Sequence, residues 1–234
     1  MELRGANVLV TGGSSGIGRA IAKTLAEVGS HVAITGRDER RLTEAAHALN
    51  ALAIRADVTN ESDVRRTFEE VLRAFGHLDV LVNNAGKGVF KPLLDMQRSE
   101  FDAVLATNMT GAMLMAREAA RHFISRKQGN IVNIGSTASH RGAPNGTAYY
   151  ASKAALRSMT ECWRAELRQH NIRVFLVNPS EVVTGFAAAS GFDQKDNPTK
   201  LRPEDVAHVV RAILEMNNRG FTTESTVFAT NPRD

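Results

Sequence analysis

A chain of 234 residues, 43% of them apolar, is long enough for one α/β domain with a large core and too short for two comfortable ones. Its single cysteine, Cys162, excludes an internal disulfide or a multi-cysteine zinc site, and its seven histidines have no ligand-like company, so no metal is expected. The net charge of +4 is modest, and ERR at 39–41 and VRR at 64–66 read as solvated helix faces; this argues against nucleic acid as a partner but suits an anionic cofactor or substrate.

The opening MELRGANVLV carries Glu2 and Arg4 and leads straight into an apolar run, unlike a signal peptide, and no run approaches membrane-spanning length. A soluble, cytoplasmic protein with no membrane partner is expected. Residues 8–11 (VLVT) are apolar and closed by glycines, which fits a buried parallel strand. Gly12, Gly16 and Gly18 follow, with a helical pattern from Ile17 through Leu25 to Val28. The spacing is GxxxGxG rather than the GxGxxG of ordinary dinucleotide folds, but the mechanics carry over. Glycines turn the backbone tightly, a helix N-terminus offers free N–H groups to a pyrophosphate, and Ser14 and Ser15 add hydroxyls.

Residues 31–35 (HVAIT) read as the second strand, ending at Gly36 and Arg37. Folds that prefer NAD usually place a carboxylate here for the ribose 2′-hydroxyl. Gly36 has none, and the Arg37 guanidinium can grip a 2′-phosphate. Asp38 either brings a carboxylate into reach after a one-residue shift or caps the helix DERRLTEAAHAL. NADP(H) is therefore expected ahead of NAD(H).

Residues 51–56 (ALAIRA) are the third strand, with Asp57 and Val58 at its carboxyl end, before a helix at 62–75. Residues 78–82 are the fourth, and NNAG at 83–86 has the small and polar residues that suit a backbone lying close to a ligand. A long helix at 99–126 contains Asn108, costly if buried and unsatisfied, and Gly111, a second local penalty. Residues 130–135 (NIVNIG) are the fifth strand and deliver Ser136.

Tyr149 and Lys153 stand i, i+4 on one face of the next helix. A nearby ammonium favours phenolate and lowers a phenol pKa of about 10, so Tyr149 can exchange a proton with a substrate oxygen near neutrality. Ser136 can hold that oxygen as charge develops. Taken alone, YxxxK also describes a helix-start aromatic with a solvated lysine. Residues 173–177 are the sixth strand, followed by PSEVVT at 179–184 and a small, polar stretch at about 185–202 with the composition of a substrate lid. Pro203 opens a last helix with a clean apolar stripe. Strands alternating with helices imply an α/β fold: one doubly wound, Rossmann-type parallel sheet with helices on both faces and its ligand crevice at the strands' carboxyl ends.

Together TGGSSGIG at 11–18, NNAG at 83–86 and Ser136 with Tyr149-xxx-Lys153 resemble the short-chain dehydrogenase/reductase family. The resemblance covers about residues 8–184 in family order and spacing, and the overall look is closest to the 3-oxoacyl-(acyl carrier protein) reductase-like branch. It implies that Asp57 bonds the adenine amino group with Val58 beside it, that Asn83 braces the strands, and that Asn84, Ala85 and Gly86 pass beside the cofactor ribose. It implies a water anchored by Asn108 in a proton relay, and ribose hydroxyls held by Lys153. The loop from Pro179 is implied to meet the nicotinamide carboxamide through backbone near Val182, and the phosphates or the amide through Thr184. Ser180 departs from the family's glycine there, and TVFATNPRD lacks the glycine-rich strand end of many relatives. A homotetramer or homodimer is implied, with helices 99–126 and 151–169 at the main interface and Phe123 and Trp163 as candidate contacts, although apolar residues there could equally be intrachain core.

The implied reaction is hydride transfer between NADP(H) and a small-molecule carbonyl or secondary alcohol, with Tyr149 as acid in reduction and base in oxidation. One substrate reading is a 3-oxoacyl thioester, with Arg126, Lys127 and Arg168 either meeting an acidic carrier or forming a solvated basic face. Another is a small 3-hydroxy acid or sugar, with Lys87 and Lys91 as carboxylate contacts. A third reading is a non-catalytic NADP-sensing regulator, against which the intact Ser136, Tyr149 and Lys153 argue.

Overall fold

The computed structural model describes residues 1–191 and 199–231. Short apolar runs supply the strands β1 (Asn7–Val10), β2 (His31–Gly36), β3 (Leu52–Arg55), β4 (Val80–Asn83), β5 (Gly129–Ile134), β6 (Ile172–Pro179) and β7 (Glu224–Val227). They pair in the order β3-β2-β1-β4-β5-β6-β7, every pair parallel. The helices are α1 (Gly16–Glu27), α2 (Glu39–Leu49), α3 (Glu61–Phe75), α4 (Arg98–Leu105), α5 (Ala112–Arg126), α6 (Thr147–Leu167), the short α7 (Phe186–Ala189) and α8 (Pro203–Glu215).

The period-2 alternation of strand side chains divides the core into two layers. Val8, Val10, Val80, Val82, Val132 and Ile134 pack with residues of α1, α2 and α8 on one face. Leu9, Leu81, Ile131 and Val174 pack with α3, α5 and the end of α6 on the other. Because both faces are covered, the central strands are mostly apolar, as expected of a parallel sheet, with Asn83, Asn133 and Asn178 among the buried polar exceptions. β1 pairs with both β2 and β4, and the chain winds away from it in opposite directions. The crevice of a doubly wound sheet opens at such a reversal, at the strands' carboxyl ends. Among the described residues no helix is long and apolar enough to cross a membrane.

Three sequence expectations need correction. The sheet has a seventh strand, β7, whose sequence ESTV is too polar to announce itself; an edge position with one side unpaired tolerates that composition, and pairing with β6 from Leu176↔Glu224 to Pro179↔Val227 orders it. The helix expected at 99–126 is interrupted by a π-helical segment, Ala106–Gly111, between α4 and α5. Phe123, expected at a subunit interface, is fully buried in the intrachain core, and a Cβ added at Gly129 would lie 2.1 Å from its ring. Trp163 also packs against that cluster, partly buried. The lid expected at about 185–202 contains α7 at its start, while residues 192–198 lie outside the described residues.

The π-helical segment has a local cause. π-turns insert a residue into a helix and are common where a side chain must be re-aimed. Here the turn brings Asn108 inward, where its Oδ1 accepts from Lys87 N at 2.8 Å and its Nδ2 donates to Lys87 O and Ser152 Oγ, both at 2.9 Å. Gly111 ends the turn against Val58, whose Cγ2 would be 2.6 Å from an added Cβ. Gly111→Ala should therefore force β3–α3 and the π-turn apart at an overpacking cost of about 1–3 kcal/mol. Thermal denaturation should show Tm lowered by roughly 2–4 °C per kcal/mol for a chain of this size; an unchanged Tm would show that the contact yields freely.

Candidate active site

At the carboxyl end of β1 the backbone makes two left-handed turns that side chains resist, Gly12 at φ 64° and Gly16 at φ 52°. They feed the N-terminus of α1, where Ser15 occupies the N-cap without bonding any backbone N–H through its side chain. Ser14, Ser15, Gly16 and Ile17 line a cleft of about 500 Å3 along the sheet edge. Gly18 does not line it. A Cβ there would stand 2.4 Å from Gly12 O and 2.3 Å from Asn84 Nδ2, so Gly18 lets the helix close against its own turn. Thr11, which the sequence reading passed over, joins this turn to β4: its Oγ1 accepts from the N–H groups of Asn84 and Ala85, both at 3.0 Å. Asn84 Nδ2 donates back to Thr11 O at 2.9 Å and Gly12 O at 3.2 Å. Glycine turn and NNAG thus move as one body, with Asn84, Ala85 and Gly86 on the cleft wall.

One end of the cleft is charged. Arg37, Asp38, Arg41 and Asp57 line it, with Val58 beside them. The Arg37 side chain is 71% exposed, and its Nη1 lies 3.8 Å from Asp57 Oδ2. Asp57 Oδ1 is engaged by Thr59, from N–H at 2.9 Å and hydroxyl at 2.8 Å. Asp38 resolves as a helix cap: its Oδ1 accepts from Arg41 N at 3.0 Å. Arg41, expected on a solvated helix face, instead lines the cleft, its N–H held by that cap.

At the other end Ser136, Tyr149 and Lys153 converge, from the end of β5 and from α6. The Tyr149 phenol shares a hydrogen bond with Ser136, whose Oγ also accepts from Ala138 N at 3.1 Å. Burial pushes the phenol above its ordinary pKa, and the Ser136 bond opposes that. The lowering expected from Lys153 does not prevail in the chain alone. Lys153, 5% exposed, donates to Ile134 O at 2.8 Å and has its Nζ 5.8 Å from the Tyr149 ring centre. Desolvation lowers its own pKa to about 8.

Asn108 sits behind this end without lining the cleft, its amide committed to Lys87 and Ser152 as described. A second asparagine, Asn178 in β6, was also missed. Fully buried, it accepts from Ser136 N at 3.2 Å and Ser139 Oγ at 3.3 Å, and donates to Glu224 Oε1 at 2.7 Å. Its sequence signal was hidden because its anchor lies on the unforeseen β7. Pro179, Val182 and Thr184 line the cleft, and Thr184 Cγ2 would be 3.5 Å from a Cβ on Gly16, across from the glycine turn. Ser180 takes the family's glycine position without strain: its φ is not positive, and its N–H donates to Val227 O at 2.8 Å.

The basic residues read as substrate contacts are arranged differently from expectation. Arg126 donates to Leu78 O at 2.7 Å and Asp79 Oδ1 at 3.1 Å, Lys127 caps α5 just before β5, and Arg168 starts the turn that precedes β6. All three stand at the strands' amino ends, opposite the cleft. Lys91 is paired with Glu100 at 2.6 Å. Among the described residues no group of three or more His, Cys, Asp or Glu side chains is gathered as a metal site would need.

Cleft, sheet and motifs define a nucleotide-dependent oxidoreductase of Rossmann type. The family model for short chain dehydrogenases matches residues 6–195. The chain is 34% identical over 236 residues to the oxidoreductase asL5 of Sarocladium schorii, covering 97% of this chain and 94% of that one. Its structure superposes with TM-score 0.90 on the 3-ketoacyl-(acyl-carrier-protein) reductase of Brucella melitensis complexed with NADH, at 31% identity over 97% of this chain and 98% of the other. It also superposes with TM-score 0.89 on an alcohol dehydrogenase of Thermococcus sibiricus complexed with 5-hydroxy-NADP, at 28% identity over 98% of each. The chain belongs to the short-chain dehydrogenase/reductase family.

Burial of Lys153 has a measurable consequence. A lysine titrating at 10.5 when unfolded and at about 8 when folded binds fewer protons folded than unfolded between those values, so stability rises with pH across that window. Below it, confinement of the charge costs up to about 3 kcal/mol. Lys153→Met lacks this dependence. The Tm of the wild type minus that of Lys153→Met should increase from pH 7.5 to pH 10, and a constant difference would contradict the desolvation.

Proposed function

We propose that the protein is an NADP(H)-dependent carbonyl reductase and alcohol dehydrogenase, acting in the cytoplasm as a homotetramer or homodimer. The observation that carries this reading is the polarity of one cleft: a glycine turn and two guanidiniums at one end, Ser136, Tyr149 and Lys153 at the other. The residues fit the cofactor. The uncapped N-terminus of α1 and the left-handed Gly12 and Gly16 would receive the pyrophosphate, with Ser14 and Ser15 adding hydroxyls. Asp57 and Val58 would hold the adenine, Asn84 to Gly86 the ribose side, and Pro179, Val182 and Thr184 the nicotinamide end. When bound, the nicotinamide supplies or accepts the hydride.

The chain's own contribution is position and proton. Ser136 holds the substrate oxygen, and Tyr149 gives it a proton in reduction or takes one in oxidation. Lys153, with a pKa of about 8, is mostly protonated at neutral pH and is the cation nearest the phenol as the phenolate forms. Asn108 supports the pair from behind by fixing Ser152 and the Lys87 backbone. Similarity to the Brucella reductase favours a 3-oxoacyl thioester among carbonyls, although Arg126, Lys127 and Arg168 are on the wrong edge to greet a carrier at the cleft mouth.

The Arg37 and Arg41 pair supports NADP(H) over NAD(H). A charge-assisted bond to the 2′-phosphate is worth roughly 1.5–3 kcal/mol, trimmed by exposure and salt, or about ten- to a hundredfold in kcat/KM. A panel of carbonyls assayed with NADPH and NADH by nicotinamide absorbance should show that preference, and Arg37→Ala should shrink it by weakening NADPH alone. Equal use of both cofactors by the wild type would assign the pocket to Asp38 instead.

A further inference from the structure

The substrate half of the cleft carries chemistry that the functional reading leaves unused. Three aromatic rings from three separate elements meet at Tyr149, and of these Tyr149 and Phe186 line the cleft. Tyr149 on α6 has Phe90, from the loop after β4, at 5.2 Å between ring centres and a 47° tilt. Phe186, on α7, stands at 5.6 Å and 52° on the same tyrosine. Gly88 makes the convergence possible, since a Cβ there would lie 2.8 Å from Phe186 Cζ and 2.9 Å from Phe90 Cε2.

Among the described residues the same region offers little to a charged substrate. Among the described lining residues the only ionic side chain at the Tyr149 end is Lys153, buried and bonded to Ile134 O. Lys91, the nearest candidate for a carboxylate, gives its ammonium to Glu100 at 2.6 Å, and Lys87 also acts on that carboxylate. A carbonyl that reaches the Tyr149 hydroxyl from the cleft brings its flanking group past the Phe186 ring on the cleft wall, with Phe90 backing Tyr149. Tilted and offset ring contacts reward another aromatic ring beyond the area it buries.

The geometry points to a ketone carrying an aryl group one or two atoms from the carbonyl, with the corresponding secondary alcohol in the reverse direction, and to Phe90 and Phe186 as the residues that select it. This rests on the carbonyl reductase reading. The redox balance is that of the reading: ketone, reduced nicotinamide cofactor and one proton give alcohol and oxidised cofactor, the proton coming through Tyr149.

The test uses the full chain with NADPH and one matched pair of ketones, 1-phenylpropan-2-one and 1-cyclohexylpropan-2-one, with hydroxyacetone and an acetoacetyl thioester assayed beside them. The phenyl ketone should exceed the cyclohexyl one in kcat/KM by about three- to tenfold, the span of an aromatic contact. It should exceed hydroxyacetone by roughly ten- to a hundredfold, the span of a buried apolar group. In Phe186→Leu and, separately, Phe90→Leu, the phenyl-to-cyclohexyl ratio should fall toward one. Because the ratio is internal to each variant, partial loss of folded enzyme does not disturb it. Hydroxyacetone or the thioester turned over as well as the phenyl ketone, or a ratio unmoved in both variants, would overturn the inference and leave the reductase reading standing. No cofactor oxidation with any carbonyl would overturn that reading itself, and this inference with it.

Discussion

A parallel sheet that winds away from β1 in two directions cannot cover its own carboxyl edge where the directions part. The helices that follow β1 and β4 leave to opposite faces, and the backbone between them is open. Among the described residues, the candidate site is set at that edge. The glycine turn rises from β1, NNAG from β4, Ser136 from β5 and Pro179 from β6. Thr11 and Asn84 hydrogen-bond across the gap and set the two sides at a fixed spacing. The rest of the site is built outward from that join.

Polar groups beneath the cleft are what make this edge rigid. Asn83 donates to Asn133 Oδ1 at 3.0 Å on the neighbouring strand, and Asn133 passes to Thr160 of α6 at 2.8 Å. Asn108 ties the loop after NNAG to Ser152, one residue before Lys153, and Asn178 ties the Ser136 backbone to β7. Groups this deep are costly if left unpaired, so the paired ones hold their neighbours in one arrangement; Asn83 Oδ1 is the exception, with no hydrogen-bond partner among the described residues. Lys153 is the opposite case. Its charge is confined with one carbonyl as its described hydrogen-bond partner, and the fold loses stability near neutral pH as a result, a cost that the proposed role beside the phenol would offset.

Sequence made the ligand-facing half of this site legible, because its signals are local. Glycines at left-handed φ, a strand-end arginine and an i, i+4 pair are visible in windows of a few residues, and six strands announced themselves by apolar runs. What stayed hidden depends on contacts between distant segments. β7 is half polar and is ordered by β6; Asn178 gains its meaning from Glu224 on that strand. Arg41 joins the cleft through a cap at Asp38. The π-turn looks like continuous helix until the partners of Asn108 are known. Phe123 reads as surface or core with equal ease, and the packing of distant segments around it, with Gly129 against its ring, places it in the core.

The central claim is that one tyrosine moves the proton. Tyr149 has Lys153 four residues on and shares a hydrogen bond with Ser136, whereas its neighbour Tyr150 has Ala154 at that spacing and lies against Gly146. The most direct measurement compares Tyr149→Phe with Tyr150→Phe, recording carbonyl turnover and, by fluorescence titration, binding of NADPH. Tyr149→Phe should lose nearly all turnover and keep NADPH affinity, with Tyr150→Phe mildly affected. Turnover that survives in Tyr149→Phe and collapses in Tyr150→Phe would contradict the account.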